Sequence, residues 1–179
     1  MQPEQSVLPL AGQLVSLAAP TMYRSQYDGD VRTWSPQGRL FQVEYAMEAE
    51  NQGSTVMVVR SKTHVVSVAL MRRINKMADY TEKVFKLDEH AGIAFSGLAA
   101  DARTLTGEMR DECINHKFTF DECLPAARLV DGVADDFAER GMGFGGGRPY
   151  GVGLITFAYD QTGSRIFYIN PAGLCNEYE

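Results

Sequence analysis

Two stretches of helical periodicity stand next to each other in this chain, and the β-type runs are grouped before and after them. Residues 99 to about 117 carry Ala102, Leu105, Met109 and Cys113 at steps of three and four. Residues 124 to about 140 carry Ala126, Val130, Val133 and Phe137 in the same way. Upstream, residues 54–59 and 65–70 are β-branched runs around Ser61-Lys62-Thr63, and residues 83–87 and 93–96 flank Asp88-Glu89-His90-Ala91-Gly92. Downstream, residues 150–159 alternate, Asp160-Gln161-Thr162-Gly163 turns, residues 165–169 return, and residues 174–178 begin a last strand after Pro171-Ala172-Gly173. Asp121 is expected in the N-cap region of the second long helix. Strands and helices collected into blocks predict an α+β layered architecture, because parallel βαβ units would alternate them. One helix pair covers only one face of such a layered sheet, so the C-terminal part of the domain is expected to be missing.

Ahead of the first strands, Ser35-Pro36-Gln37-Gly38 reads as a turn with a proline placed to open a helix. Residues 40–51 follow as that helix, closed by Gly53. Leu40, Val43 and Met47 lie on one side of it, and Phe41, Tyr45 and Ala49 on another. A short helix that is apolar on two faces is expected to pack between two partners. Residues 1–21 read differently: an apolar run broken by Pro9, Gly12 and Gln13, with Glu4 where a signal peptide would carry positive charge. They are expected to be a disordered extension or a misassigned start, so the domain is placed at residues 22–179.

The chain has 179 residues, 45% of them hydrophobic, which suits one domain with one core. A net charge of −6 argues against a nucleic-acid partner, which would select a basic stripe. The apolar run over residues 7–19 is too short and too broken to span a membrane. Cys113, Cys123 and Cys175 are an odd number without CxxC spacing and with no histidine at ligand spacing, which predicts buried free thiols in a reducing compartment.

Several motifs invite chemistry. Gly141, Gly143 and Gly146 fit GxGxxG by count, but a dinucleotide fingerprint needs a strand before it and a helix after it. Here the order is reversed, so residues 141–147 read as a connector. His64, His90 and His116 lie far apart and read as surface or core histidines. Asp101 suits the dipole at the start of the first long helix. Lys83 reads as a solvated strand-edge lysine, with an ammonium presented at a subunit seam as the alternative. Tyr27, Asp28, Pro36 and Tyr45 could form a hydrogen-bonded cluster holding an N-terminal tail, or an ordinary helix-opening cap.

The same residues carry a resemblance. Tyr27-Asp28, then Ser35-Pro36-Gln37-Gly38-Arg39-Leu40-Phe41-Gln42-Val43-Glu44-Tyr45-Ala46, resembles the signature of 20S proteasome alpha subunits. Gly53-Ser54-Thr55, Ser96-Gly97-Leu98-Ala99-Ala100-Asp101-Ala102-Arg103 and Arg148-Pro149-Tyr150-Gly151-Val152 match that family in the same order. Tyr45-Ala46-Met47-Glu48-Ala49 and Ser61-Lys62-Thr63-His64 look closest to its eukaryotic alpha type-1 branch, at the sixth ring position.

The resemblance implies a four-layer αββα sandwich of the N-terminal nucleophile hydrolase type, here incomplete at the C-terminus. It implies a non-catalytic structural and gating subunit of the outer ring, active in ubiquitin-dependent protein degradation in cytoplasm and nucleus. The implied partners are neighbouring alpha subunits, the beta ring and the C-termini of regulatory activators; no cofactor, metal, nucleic acid or membrane is implied. Tyr27, Asp28, Pro36 and Tyr45 match the gate cluster, and Gly53, Lys83 and Leu98 match the pocket where the lysine receives an activator carboxylate. Gly29 stands where many alpha subunits have arginine, which puts a salt bridge to the neighbouring tail in doubt.

Two other readings compete. A catalytic beta-type subunit needs a free N-terminal threonine, whereas Thr55 is internal and Leu70 occupies the strand end where an acidic partner would fall. A free-standing module would bind nucleotide or peptide through residues 141–147.

Overall fold

A computed structural model of the chain describes residues 26–73, 75–141 and 147–179. The expected extension over residues 1–21 and most of the glycine-rich connector lie outside them.

The period-2 runs build two antiparallel sheets. β1 (Val56–Arg60) and β2 (Val65–Ala69) form a two-stranded hairpin. β3 (Val84–Lys86), β4 (Ala91–Gly97), β5 (Val152–Asp160), β6 (Gly163–Ile169) and β7 (Cys175–Tyr178) form a five-stranded sheet in that order. Register puts Phe95 opposite Leu154 and Leu154 opposite Ile169, so the large side chains of three strands share one face. Onto that face pack α2 (Ala99–Phe120) and α3 (Ala126–Gly141), contributing Leu105, Met109, Leu129, Val130, Val133 and Phe137. The helical steps of three and four therefore mark the buried stripes, and this cluster is the core of the molecule.

The opposite face of the large sheet carries α1 (Phe41–Asn51) over β4 and β5, and the β1–β2 hairpin beside it. Arg60 donates from Nη1 to the Ser164 carbonyl at 2.8 Å, and the Ser164 hydroxyl donates to the Ser61 carbonyl. The layers are thus a helix pair, a five-stranded sheet, and a small second sheet with α1. This is the α+β sandwich expected. The outer face of the second sheet bears Met57, Val59, Val66 and Val68 at 57–62% exposure.

Two local expectations change. Asp121 is the C-cap of α2, not an N-cap: its φ is 55° and its N–H bonds the Lys117 carbonyl at 2.9 Å. Aspartate tolerates this left-handed geometry, and α2 runs on to Phe120 before stopping there. In α1 only Ala46 is buried, while Tyr45 and Met47 are 51% and 38% exposed. One face rests on the sheet and the other is open.

Candidate functional site

The approach to α1 is a closed turn. Ser35 donates to the Arg39 carbonyl and accepts from Gly38 N–H, both at 2.9 Å, while its hydroxyl accepts from Arg39 N–H at 3.0 Å. Gly38 sits at φ +76°, which other residues adopt only at a cost. Pro36 is therefore the second residue of the β-turn expected over residues 35–38, and α1 opens only at Phe41, so the proline is not its first residue. The turn delivers Arg39, whose guanidinium pairs with Glu44 through contacts of 2.7 and 2.5 Å and lies 5.4 Å from the Phe41 ring centroid. Phe41 stacks on Tyr45 at 6.3 Å.

Beyond that stack the Tyr45 hydroxyl donates to Asp28 Oδ2 at 3.3 Å, and Gln42 Nε2 donates to the Asp28 carbonyl. The structure thus brings Asp28 and Tyr45 together, sets half-buried Tyr27 beside them in sequence, and leaves exposed Pro36 in the turn. Gln42 is a member that sequence reasoning missed, because a polar residue in a first helical turn carries no signal of its own.

The second candidate group converges on the end of β4. Lys83 is only 8% exposed, with Nζ 4.9 Å from the Phe95 ring centroid. It is not the solvated edge lysine expected, because its chain lies along an aromatic face. Burial, and then the Arg72 charge, holds its ammonium below the usual lysine range. Gly53 backs onto the two residues after Phe95: a Cβ there would collide with Ser96 Oγ and the Gly97 nitrogen. Leu98 follows, 45% exposed, its N–H donating to the Gly151 carbonyl at 3.0 Å. Residues 95–98 are thus the common neighbour of all three.

Of these three only Gly53 lines the neighbouring cavity of about 300 Å³, with Thr55, Phe95, Ser96, Glu50 and Tyr168 among its other walls. Glu50 and Tyr168 carry no signal in the sequence that singles them out. The Tyr168 hydroxyl donates to Glu50 Oε1 at 2.6 Å, and Ser96 Oγ donates to the Glu50 carbonyl at 3.0 Å. Burial raises the Glu50 carboxyl above its ordinary range, and the Tyr168 bond only partly offsets this. Thr55 leads into β1, its carbonyl accepting from Leu70 N–H at 3.0 Å.

The other motifs separate. Asp101 does open α2, but its carboxylate also takes both Arg148 nitrogens at 2.7 Å and Gly151 N–H at 3.0 Å. Gly141 ends α3 and β5 follows Gly147, so the helix-before-strand order around the connector is as expected. Cys113 is buried and Cys175 half-buried, but Cys123 is exposed, against the expectation of buried thiols. The absence of a histidine at ligand distance is also overturned. Ligand atoms of Asp88, His90 and Cys123 lie within 4.8 Å of one another, because a hairpin loop and a helix connection meet in space.

A family model described as "Proteasome subunit" matches residues 50–179, and the model of the N-terminal signature of proteasome A-type subunits matches residues 27–49. The chain belongs to the proteasome subunit family. It is 46% identical over 157 residues to "Probable proteasome subunit alpha type-6" of Schizosaccharomyces pombe, covering 88% of this chain and 57% of the relative. It is 44% identical over 158 residues to "Proteasome subunit alpha type-1" of Dictyostelium discoideum, covering 88% and 63%. With "Proteasome subunit alpha type-6" of Saccharomyces cerevisiae it shares 44% identity, covering 87% and 66%. The chain thus spans 57–66% of the length of these relatives. As a proteasome-family chain with an alpha signature, it has its turn at residues 35–39 and its Asp28–Tyr45 contact both inside the signature.

Proposed function

We propose that this chain is a non-catalytic structural and gating subunit of the 20S proteasome outer ring, serving ubiquitin-dependent protein degradation. Its partners are the neighbouring alpha subunits and the beta ring. The observation that carries this is the coincidence of the alpha signature over residues 27–49 with a bonded Asp28–Tyr45 pair at the start of α1. That pair gives an N-terminal tail a fixed point of departure, with Tyr27 and Pro36 completing the gate cluster. The open side of α1, with Tyr45 and Met47, is free for a neighbour.

Gly53, Lys83 and Leu98 form the proposed pocket for an activator C-terminus. An ammonium buried against an aromatic ring favours an incoming carboxylate, and the contact would be charge-assisted. Thr55 is no nucleophile in this reading, because its amine is tied into the chain. Three unbonded cysteines fit a reducing cytoplasm and nucleus.

The test uses a tagged chain expressed in cells. It is expected to co-migrate with alpha and beta subunits in a high-mass particle on native gels. Within that particle Lys83→Leu is expected to abolish stimulation of peptide hydrolysis by an activator C-terminal peptide, and Tyr45→Phe to change basal hydrolysis. Exclusion of the tagged chain from every such particle would overturn the proposal.

A further inference from the structure

We propose that Asp88, His90 and Cys123 form a Zn²⁺ site that clamps the β3–β4 loop to the α2–α3 connection. The three residues come from two segments more than thirty positions apart in the chain, and the fold places their ligand atoms within 4.8 Å of one another.

The argument turns on the two nitrogens of His90. Its Nε2 lies 2.9 Å from the Leu124 carbonyl oxygen, which can only accept, so the ring proton sits on Nε2. That leaves the Nδ1 lone pair of the neutral ring bare. Nδ1 is buried and no hydrogen bond from the described residues reaches it; what faces it is Asp88 Oδ2 at 3.4 Å. Two electron-rich atoms confront each other there, and a cation between them resolves the conflict. Asp88 is poised for that role, because its other oxygen already accepts from Glu89 N–H at 2.7 Å, turning Oδ2 toward the ring. A histidine oriented by a carbonyl bond to its far nitrogen is the usual outer support of a metal-bound imidazole.

Cys123 supplies the third ligand and the choice of metal. Nitrogen, oxygen and thiolate sulfur together suit Zn²⁺, whereas Ca²⁺ and Mg²⁺ demand oxygen sets. On binding, the Cys123 S–H gives its proton to solvent and the sulfur takes the metal. Cys113 is the contrast. It is buried, and it is not among the three residues whose ligand atoms converge. His90 and Cys123 also line a groove of about 560 Å³ with Glu122, Tyr159 and Thr162, which leaves room for a water as fourth ligand. The competing arrangement is a metal-free ion pair between an imidazolium and Asp88.

The test titrates the whole chain, stripped of metal, with Zn²⁺ against a chromogenic chelator. One equivalent is expected to bind, and His90→Gln, Asp88→Asn and Cys123→Ser are each expected to weaken it at least about tenfold. Cys113→Ala is expected to leave it unchanged. Co²⁺ is expected to give a sulfur-to-metal charge-transfer band that Cys123→Ser removes. Unmutated chain provides a further readout: Zn²⁺ should slow alkylation of exposed Cys123. An unchanged alkylation rate at saturating Zn²⁺, or binding that Cys123→Ser leaves intact, would overturn the proposal in favour of the ion pair.

Discussion

Thr156 lies in the middle of β5 with no accessible surface, and its hydroxyl has no hydrogen-bond partner among the described residues. It sits opposite Ile93 on one side and Phe167 on the other, inside the apolar face that meets α2 and α3. A buried hydroxyl without a partner has lost its water and gained nothing in exchange. Thr156→Val keeps the branched shape that suits the strand and removes the unpaired oxygen. It is expected to stabilise the chain by about 1 kcal/mol, read as a shift in the midpoint of denaturant unfolding with unchanged slope. A destabilised variant would show that the oxygen has a partner after all. Sequence cannot single out Thr156, because threonine in an alternating run looks the same whether its hydroxyl is paired or not. The same blindness covers Lys83, whose burial depends on the Phe95 ring, well along the chain on the neighbouring strand.

At the scale of elements, the joint between α2 and β5 is electrostatic. Asp101 is legible as a helix-opening acid, but its second task, holding Arg148 and the Gly151 amide, is not. Burial alone would raise its carboxyl; the Arg148 hydrogen bonds and the Gly151 amide outweigh this and hold it below the usual range. Arg148 is 60% exposed, so solvent screens the pair, and Asp101→Asn is expected to cost about 1–2 kcal/mol near neutral pH. The folded-state value lies below the unfolded one. The contribution is therefore complete above the ordinary carboxylate range and fades as pH falls through the folded value. Denaturant unfolding of both proteins across pH should give curves parallel at neutral pH that converge in acid; a gap widening in acid would contradict this. Element types are otherwise readable from periodicity, whereas ends depend on single residues. Asp121 marks a chain reversal, and local sequence places it on the wrong side of it, whereas the Ser35–Gly38 turn stands where local sequence puts it.

For the whole molecule, the informative feature is the outer face of the β1–β2 hairpin. Met57 faces Val68 and Val59 faces Val66 across the strands, all four more than half exposed. A contiguous apolar patch of this kind favours association. Sedimentation of the isolated chain is expected to show concentration-dependent self-association that the double substitution Met57→Thr and Val68→Thr reduces. Monomers at all concentrations would sink this. What the sequence determined by itself was the α+β class, the order of ten elements and the family signature at residues 27–49, because local periodicity and short-range turn chemistry specify these. Only the tertiary structure decided that Lys83 lies along the Phe95 ring, that Gly53 backs onto Ser96 and Gly97, that Glu50 bonds Tyr168, and that His90 meets Cys123. Those pairings are set by strand register and by how the helices dock on the sheet, and neither quantity is written in any local stretch of residues.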